Sequence, residues 1–202
     1  MAQVAQDKAT SQSLIDAKLD RLRLLRQKIV NEMYLDRWLD VWFFPRHAGV
    51  AGWEGTQGVM FVGLNPSTGA FPNKADDFLY IQLKAHRFAE AHLTDLIKLR
   101  ATGQKALSWY KAMRYRRFED DTERQLLDMQ SGYLVEEQAI LKARLIVAMG
   151  KGRAELLKGL FGPSVRVEEM AHYAPRIRNN EATSQIVSDL GRLREICDHL
   201  AT

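Results

Sequence analysis

Val59-Met60-Phe61-Val62-Gly63-Leu64 is an uninterrupted apolar run, and it is followed directly by Asn65-Pro66-Ser67-Thr68-Gly69. A short run without polar alternation is what a strand shows when helices cover both its faces. The cluster of Asn, Pro, Ser and Gly behind it predicts a turn. A strand of this kind belongs to a parallel sheet, so further strands and helices should alternate along the chain.

They do. A helix is predicted from about Ala75 to Ala91, then a strand from His92 to Leu99. A long helix from about Thr122 to Ala143 is expected to turn Leu126, Met129, Tyr133, Ile140 and Leu141 inward. Arg144 to Met149 forms the third strand, closed by Gly150. Lys151 to Phe161 is a helix stopped by Gly162-Pro163, and Val165 to about Ala171 is the fourth strand. In the last helix Ile186, Leu190, Leu193, Cys197 and Leu200 share one face. Upstream, Ser13 opens a helix whose stripe of Ile15, Leu19, Leu22, Ile29 and Met33 runs to about Met33 or Tyr34, and an aromatic stretch from Trp38 to Phe44 ends at Pro45. The expected architecture is α/β: a three-layer αβα sandwich around a central, mainly parallel four-stranded sheet, with an N-terminal helical extension over residues 1–50 and the α/β domain over 51–202.

Composition agrees with one compact unit. The chain has 202 residues, 46% hydrophobic and 27% charged, which excludes disordered and low-complexity classes. No apolar run reaches the roughly 18 residues of a membrane span, and the polar start MAQVAQDKATSQ lacks the apolar stretch of a signal peptide, so a cytoplasmic protein is expected. The single cysteine, Cys197, excludes an internal disulfide and a cysteine-rich cluster, and on its apolar stripe it is expected to be inert core. With 29 Lys+Arg against 25 Asp+Glu the net charge is +4, a mild preference for anionic partners such as nucleic acid. Trp109 to Phe118 interleaves aromatics with Lys111, Arg114, Arg116 and Arg117, a pairing suited to stacking bases and tracking phosphates, or equally to packing on the N-terminal helix.

In a parallel sheet, ligands gather outside the carboxyl ends of the strands. Here those ends carry Asn65-Pro66-Ser67, Asp95 to Arg100, Gly150-Lys151-Gly152 and His172 to Arg176. The same segments resemble the uracil-DNA glycosylase superfamily. Gly63-Leu64-Asn65-Pro66-Ser67 looks like its first motif, closest to the mismatch-specific uracil/thymine branch, where the asparagine positions the attacking water. Thr94-Asp95-Leu96-Ile97-Lys98-Leu99-Arg100 is similar to the segment that reads the base, with Asp95 where the family has asparagine. Residues 140–157 resemble the helix, third strand and glycine turn of the bacterial branches. His172-Tyr173-Ala174-Pro175-Arg176 resembles the H-P-S-P loop, whose histidine faces the base, though without its first proline and its serine. The likeness covers about residues 55–200 in order.

The resemblance implies a DNA base-excision N-glycosylase acting on a flipped, damaged or mismatched base, as a monomer without metal, iron–sulfur cluster or other cofactor. It makes Asn65 and His172 the catalytic pair. Gly63, Pro66, Ser67, Phe71, Asp95 and Lys98 would line the substrate pocket, and Arg100, Lys151, Arg153 and Arg176 would meet the DNA. Phe71 or Phe78 would stack on the base. The glycine turn before the helix at Lys151 would present N–H groups to phosphate.

The residue types fit that chemistry and also plainer roles. The Asn65 amide can orient water, or cap a turn before Pro66. His172 can donate to a base oxygen gaining charge, or sit as an ordinary surface histidine. Asp95, when ionised, only accepts, so it suits adjacent donors such as a guanine-like edge better than uracil; it can also pair with Lys98 or Arg100. A nucleic-acid or nucleotide-binding protein without glycosylase activity is the alternative on the same scaffold.

Overall fold

The computed structural model describes residues 2–32, 58–64, 74–98, 121–150, 152–172 and 180–200. The elements in chain order are α1 (Ala2–Glu32), β1 (Val59–Gly63), α2 (Lys74–Ala85), β2 (His92–Asp95), α3 (Asp121–Leu141), β3 (Leu145–Met149), α4 (Ala154–Phe161), β4 (Arg166–Met170) and α5 (Asn180–Leu200). The strands form one four-stranded sheet in the order β2-β1-β3-β4, every neighbouring pair parallel.

Two apolar layers cover it. On one face Leu22, Leu25 and Ile29 of α1, Leu134 and Leu141 of α3, and Leu157 of α4 pack with Met60, Val62, Ile146 and Val167 of the sheet. On the other, Leu79 and Leu83 of α2 and Ile186, Leu190 and Leu193 of α5 pack with Phe61, Leu93, Val147 and Met170. Period-two alternation along each strand sends neighbouring residues to opposite faces, which is why every residue of β1 and β3 is buried. The chain is therefore a three-layer α/β protein. No helix among the described residues is long and apolar enough to cross a membrane.

Element ends differ from the sequence expectation for local reasons. α2 stops at Ala85 because Arg87 adopts a left-handed φ of 60°, with its N–H on the Lys84 carbonyl (3.1 Å) and the Phe88 N–H on that of Leu83 (2.7 Å). That is a Schellman closure with arginine where glycine is usual. It drops Phe88 into the core, edge-on to Phe61 at 5.4 Å. β2 ends at Asp95 rather than Leu99, although the Leu96 and Ile97 N–H groups still reach the carbonyls of Gly63 and Leu64. α4 begins at Ala154 rather than Lys151 because Gly150 and Gly152 both take positive φ, 114° and 79°. α1 starts well before Ser13, and its inner face is part of the core rather than an arm beside it.

On α3 the expected inward set needs correction. Met129 is 44% exposed, whereas Gln130 and Glu137 are fully buried beside Tyr133, Leu134, Ile140 and Leu141. The helix keeps its 3.6-residue stripe, but two of the inward positions are polar.

Candidate functional site

The topology singles out the carboxyl end of β1. The chain leaves β1 toward α2 on one face of the sheet, while the neighbouring strands β2 and β3 lead to α3 and α4 on the other. Connections that diverge in this way open a crevice above the strand between them. Gly63 is the last residue of β1 and pairs with Asp95 of β2. A Cβ at position 63 would lie 2.1 Å from Asp95 Oδ1 and 3.5 Å from Met149 Cε. The missing side chain thus leaves a notch into which the half-buried Asp95 carboxylate leans. Gly63 and Asp95 thus lie side by side.

His172, half-buried, lies two residues beyond β4 at the same edge. The strand it leaves is fixed there by the Ala171 N–H, which donates to Asp189 of α5 at 2.8 Å. Asp95 and His172 therefore leave the sheet from its two outer strands, roughly 14 Å apart at the backbone, with the ends of β1 and β3 between them. Asn65, Pro66, Ser67, Phe71, Arg100, Lys151 and Arg176 lie outside the described residues, as do Trp38 to Pro45 and Trp109 to Phe118.

Three expected ligand contacts are used otherwise. Lys98 does not line a substrate pocket: it is wholly enclosed, its N–H on Gln130 (2.7 Å) and its ammonium on Thr94 and Glu137. At the glycine turn the Gly152 N–H donates to Glu169 Oε2 at 2.7 Å, so a carboxylate occupies a donor expected to face phosphate. Arg153 folds back over the same turn and donates through Nη1 to the Met149 carbonyl. Gly150 makes room for it, since a Cβ there would meet that nitrogen at 2.6 Å.

Lys98 belongs to a cluster that the sequence reading missed. Glu137 of α3 accepts from His92 Nε2 (2.6 Å), Thr94 Oγ1 (3.0 Å) and Lys98 Nζ, and Glu137, His92 and Lys98 are all 0% exposed. Burial alone would raise the Glu137 carboxyl, but the charges of Lys98 and His92 and their hydrogen bonds outweigh it and hold it below the usual carboxylate range. A signal for this existed. Positions 130, 133, 134, 137, 140 and 141 form one helical stripe, and period two puts His92 and Thr94 on a single strand face, so polar residues met where only apolar ones were sought.

This cluster carries a pH dependence. A carboxyl whose folded pKa lies below its unfolded value of about 4.3 stabilises the protein fully above that pH, and the contribution disappears as pH falls through the folded value. Urea-unfolding free energies should therefore drop more steeply below about pH 4.3 in the native chain than in a Glu137→Leu, Lys98→Met double variant. Parallel acid limbs would show that Glu137 does not contribute.

At the opposite, amino edge of the sheet a cleft of about 130 Å³ is lined by Val59, Leu145, Arg144 and Cys197, among others. Cys197 is buried on its apolar stripe, and burial pushes its thiol up, as suits an inert core residue. Among the described residues no group of three or more His, Cys, Asp or Glu is arranged to hold a metal ion. No protein-family model and no curated protein matches the chain.

Proposed function

We propose that the protein is a cytoplasmic DNA base-excision N-glycosylase that hydrolyses the glycosidic bond of a flipped base. The observation that carries this reading is the notch at the carboxyl end of β1, where the Asp95 carboxylate takes the space of an absent side chain two residues before Asn65. The sequence motifs resembling the glycosylases fall on strand ends at one edge of a parallel sheet, where such folds bind ligands.

In this reaction water adds to C1′, the glycosidic electron pair leaves with the base, and the base takes up a proton. The protein has to hold the water, steady the departing anion and enclose an unstacked base. Asn65 orients the water through its amide. His172 donates to the base oxygen on which charge accumulates. Asp95 reads the edge of the base, Phe71 stacks on it, and Pro66 and Ser67 complete the pocket wall. Arg100, Lys151 and Arg176 meet the DNA backbone.

Duplexes carrying uracil, hypoxanthine, xanthine or a G·T mismatch, treated with alkali after incubation, report any abasic site formed. Product is expected on at least one of them, reduced roughly 10²–10³-fold by Asn65→Ala and by His172→Ala. Salt-sensitive binding with no product on any base would establish the second reading, a nucleic-acid or nucleotide-binding protein without hydrolysis.

A further inference from the structure

The cleft at the amino edge of the sheet lies where β1 and β3 begin, at Val59 and Leu145, beside the last turns of α5. Its volume is about 130 Å³, and Val59, Leu145, Cys197 and Leu200 line it together with Arg144 and Arg194. An apolar cavity of roughly 150 Å³ is large enough for a benzene-sized guest, whereas sites for larger ligands run from about 300 Å³ upward. The cleft therefore joins room for one small apolar group to two guanidinium groups.

The two arginines are used differently. Arg194, half-buried, is committed to the fold: Nε and Nη2 hold Asp198 at 3.1 and 2.6 Å, Nη1 donates to the Arg87 carbonyl at 3.4 Å, and the guanidinium carbon stands 5.3 Å from the centre of the Phe88 ring. Arg144 is exposed, and among the described residues its side chain donates only through Nη1, to the Leu200 carbonyl at 2.8 Å. Its backbone is fixed too, since its N–H and that of Leu145 both donate to the Gly58 carbonyl at 2.7 and 3.2 Å. That leaves Nε and Nη2 of an anchored guanidinium, the kind of adjacent donor pair that grips a carboxylate through two parallel bonds.

The charge around the cleft suits an anion. Asp198 accepts from both Arg194 and Arg87, so that carboxylate is already balanced and Arg144 adds a further positive charge. Cys197 contributes no negative charge: burial pushes its thiol up and outweighs the two neighbouring guanidinium groups.

We propose that this cleft binds a small carboxylate with a flat or branched apolar body, the carboxylate on Nε and Nη2 of Arg144 and the body against Val59, Leu145 and Leu200. A phosphate ion would meet the same donors but leave the apolar walls uncovered. A neutral ring of the same shape would cover the walls and leave the donors to water. The site lies at the opposite edge of the sheet from the crevice above β1, so it holds whether or not the protein cleaves a base.

The full chain, methyl-labelled for NMR, is titrated at constant ionic strength with benzoate, with benzamide and with inorganic phosphate. Benzoate is expected to saturate at a Kd on the order of 1 mM, as suits so small a ligand, and to shift the methyl signals of Val59, Leu145 and Leu200 while those of Leu96 and Ile97 stay in place. Benzamide, which has the shape without the charge, should bind roughly tenfold more weakly, the loss of one charge-assisted contact, and phosphate at least as weakly. Arg144→Gln should weaken benzoate roughly tenfold and leave benzamide unchanged, with a urea midpoint near that of the native chain because the side chain is exposed. Arg144→Lys, which keeps the charge without the paired donors, should fall between the two. Equal binding of benzoate and benzamide, phosphate binding as tight as benzoate, undiminished binding by Arg144→Gln, or no saturation would each overturn the proposal. Should Arg144→Gln fail to fold, the comparison of the three ligands on the native chain decides alone.

Discussion

Alanine in place of Glu137 is expected to destabilise the protein by about 3–5 kcal/mol, a large part of the roughly 5–15 kcal/mol that holds a domain together. The carboxylate is the one group that accepts from His92, Thr94 and Lys98 together. Without it the Lys98 ammonium stays in a dry interior, where an uncompensated charge is far more costly than a lost hydrogen bond. The ion pair itself contributes little, because the attraction between the two charges is largely offset by their desolvation. Glu137→Leu combined with Lys98→Met should therefore recover most of the loss. Thr94→Val, which removes a donor to Glu137 and an acceptor for Lys98 but no charge, should cost less, about 1.5–3 kcal/mol. Urea unfolding of these variants separates the contributions. A double variant as unstable as the single one would show that the charge is not what makes Glu137 matter.

The same cluster shows why part of this molecule was legible in its sequence and part was not. Continuous apolar runs at 59–64 and 145–149, short and each closed by a glycine-containing turn, point to strands buried on both faces. The strands and helices, their order and the sheet's parallel sense follow from such patterns. Polar residues in core positions defeat that logic. An apolar stripe passes over Gln130 and Glu137 because they are polar and takes in Met129 because it is apolar, whereas the helical period fixes which residues face the sheet and the partners decide whether they are tolerated there. Lys98 fails for the same reason: a lysine near a strand end suggests a ligand contact until a carboxylate from a helix many residues away is found beside it. The Gly63–Asp95 contact lies between these cases. Its residues were singled out, but the notch needs the β1–β2 register, which no local pattern encodes.

A chain beginning at residue 51 should fail to fold cooperatively. The sequence suggests an α/β domain over 51–202 with residues 1–50 as an extension, but α1 supplies one wall of the core. Leu22, Leu25 and Ile29 are 1%, 5% and 0% exposed and pack with the residues of α3 and the sheet. Burying a Leu or Ile side chain contributes about 1.5–3 kcal/mol, so the three together contribute about 5–9 kcal/mol, comparable with the stability of a whole domain. Removing the helix would also uncover Tyr133 and Leu134, and would delete the Lys18 ammonium from the Leu141 carbonyl (3.1 Å) and Glu32 from the Tyr133 hydroxyl (2.7 Å). The exposed Lys28–Glu136 pair adds little to this account. Point variants grade the effect. Leu22→Ala or Ile29→Ala should each cost about 2–5 kcal/mol, while Leu24→Ala, at a residue 72% exposed on the same helix, should lie within about 0.5 kcal/mol of the native chain. Dispersed NMR signals and a native-like urea midpoint from residues 51–202 alone would show instead that the sheet and its remaining helices close the core without α1.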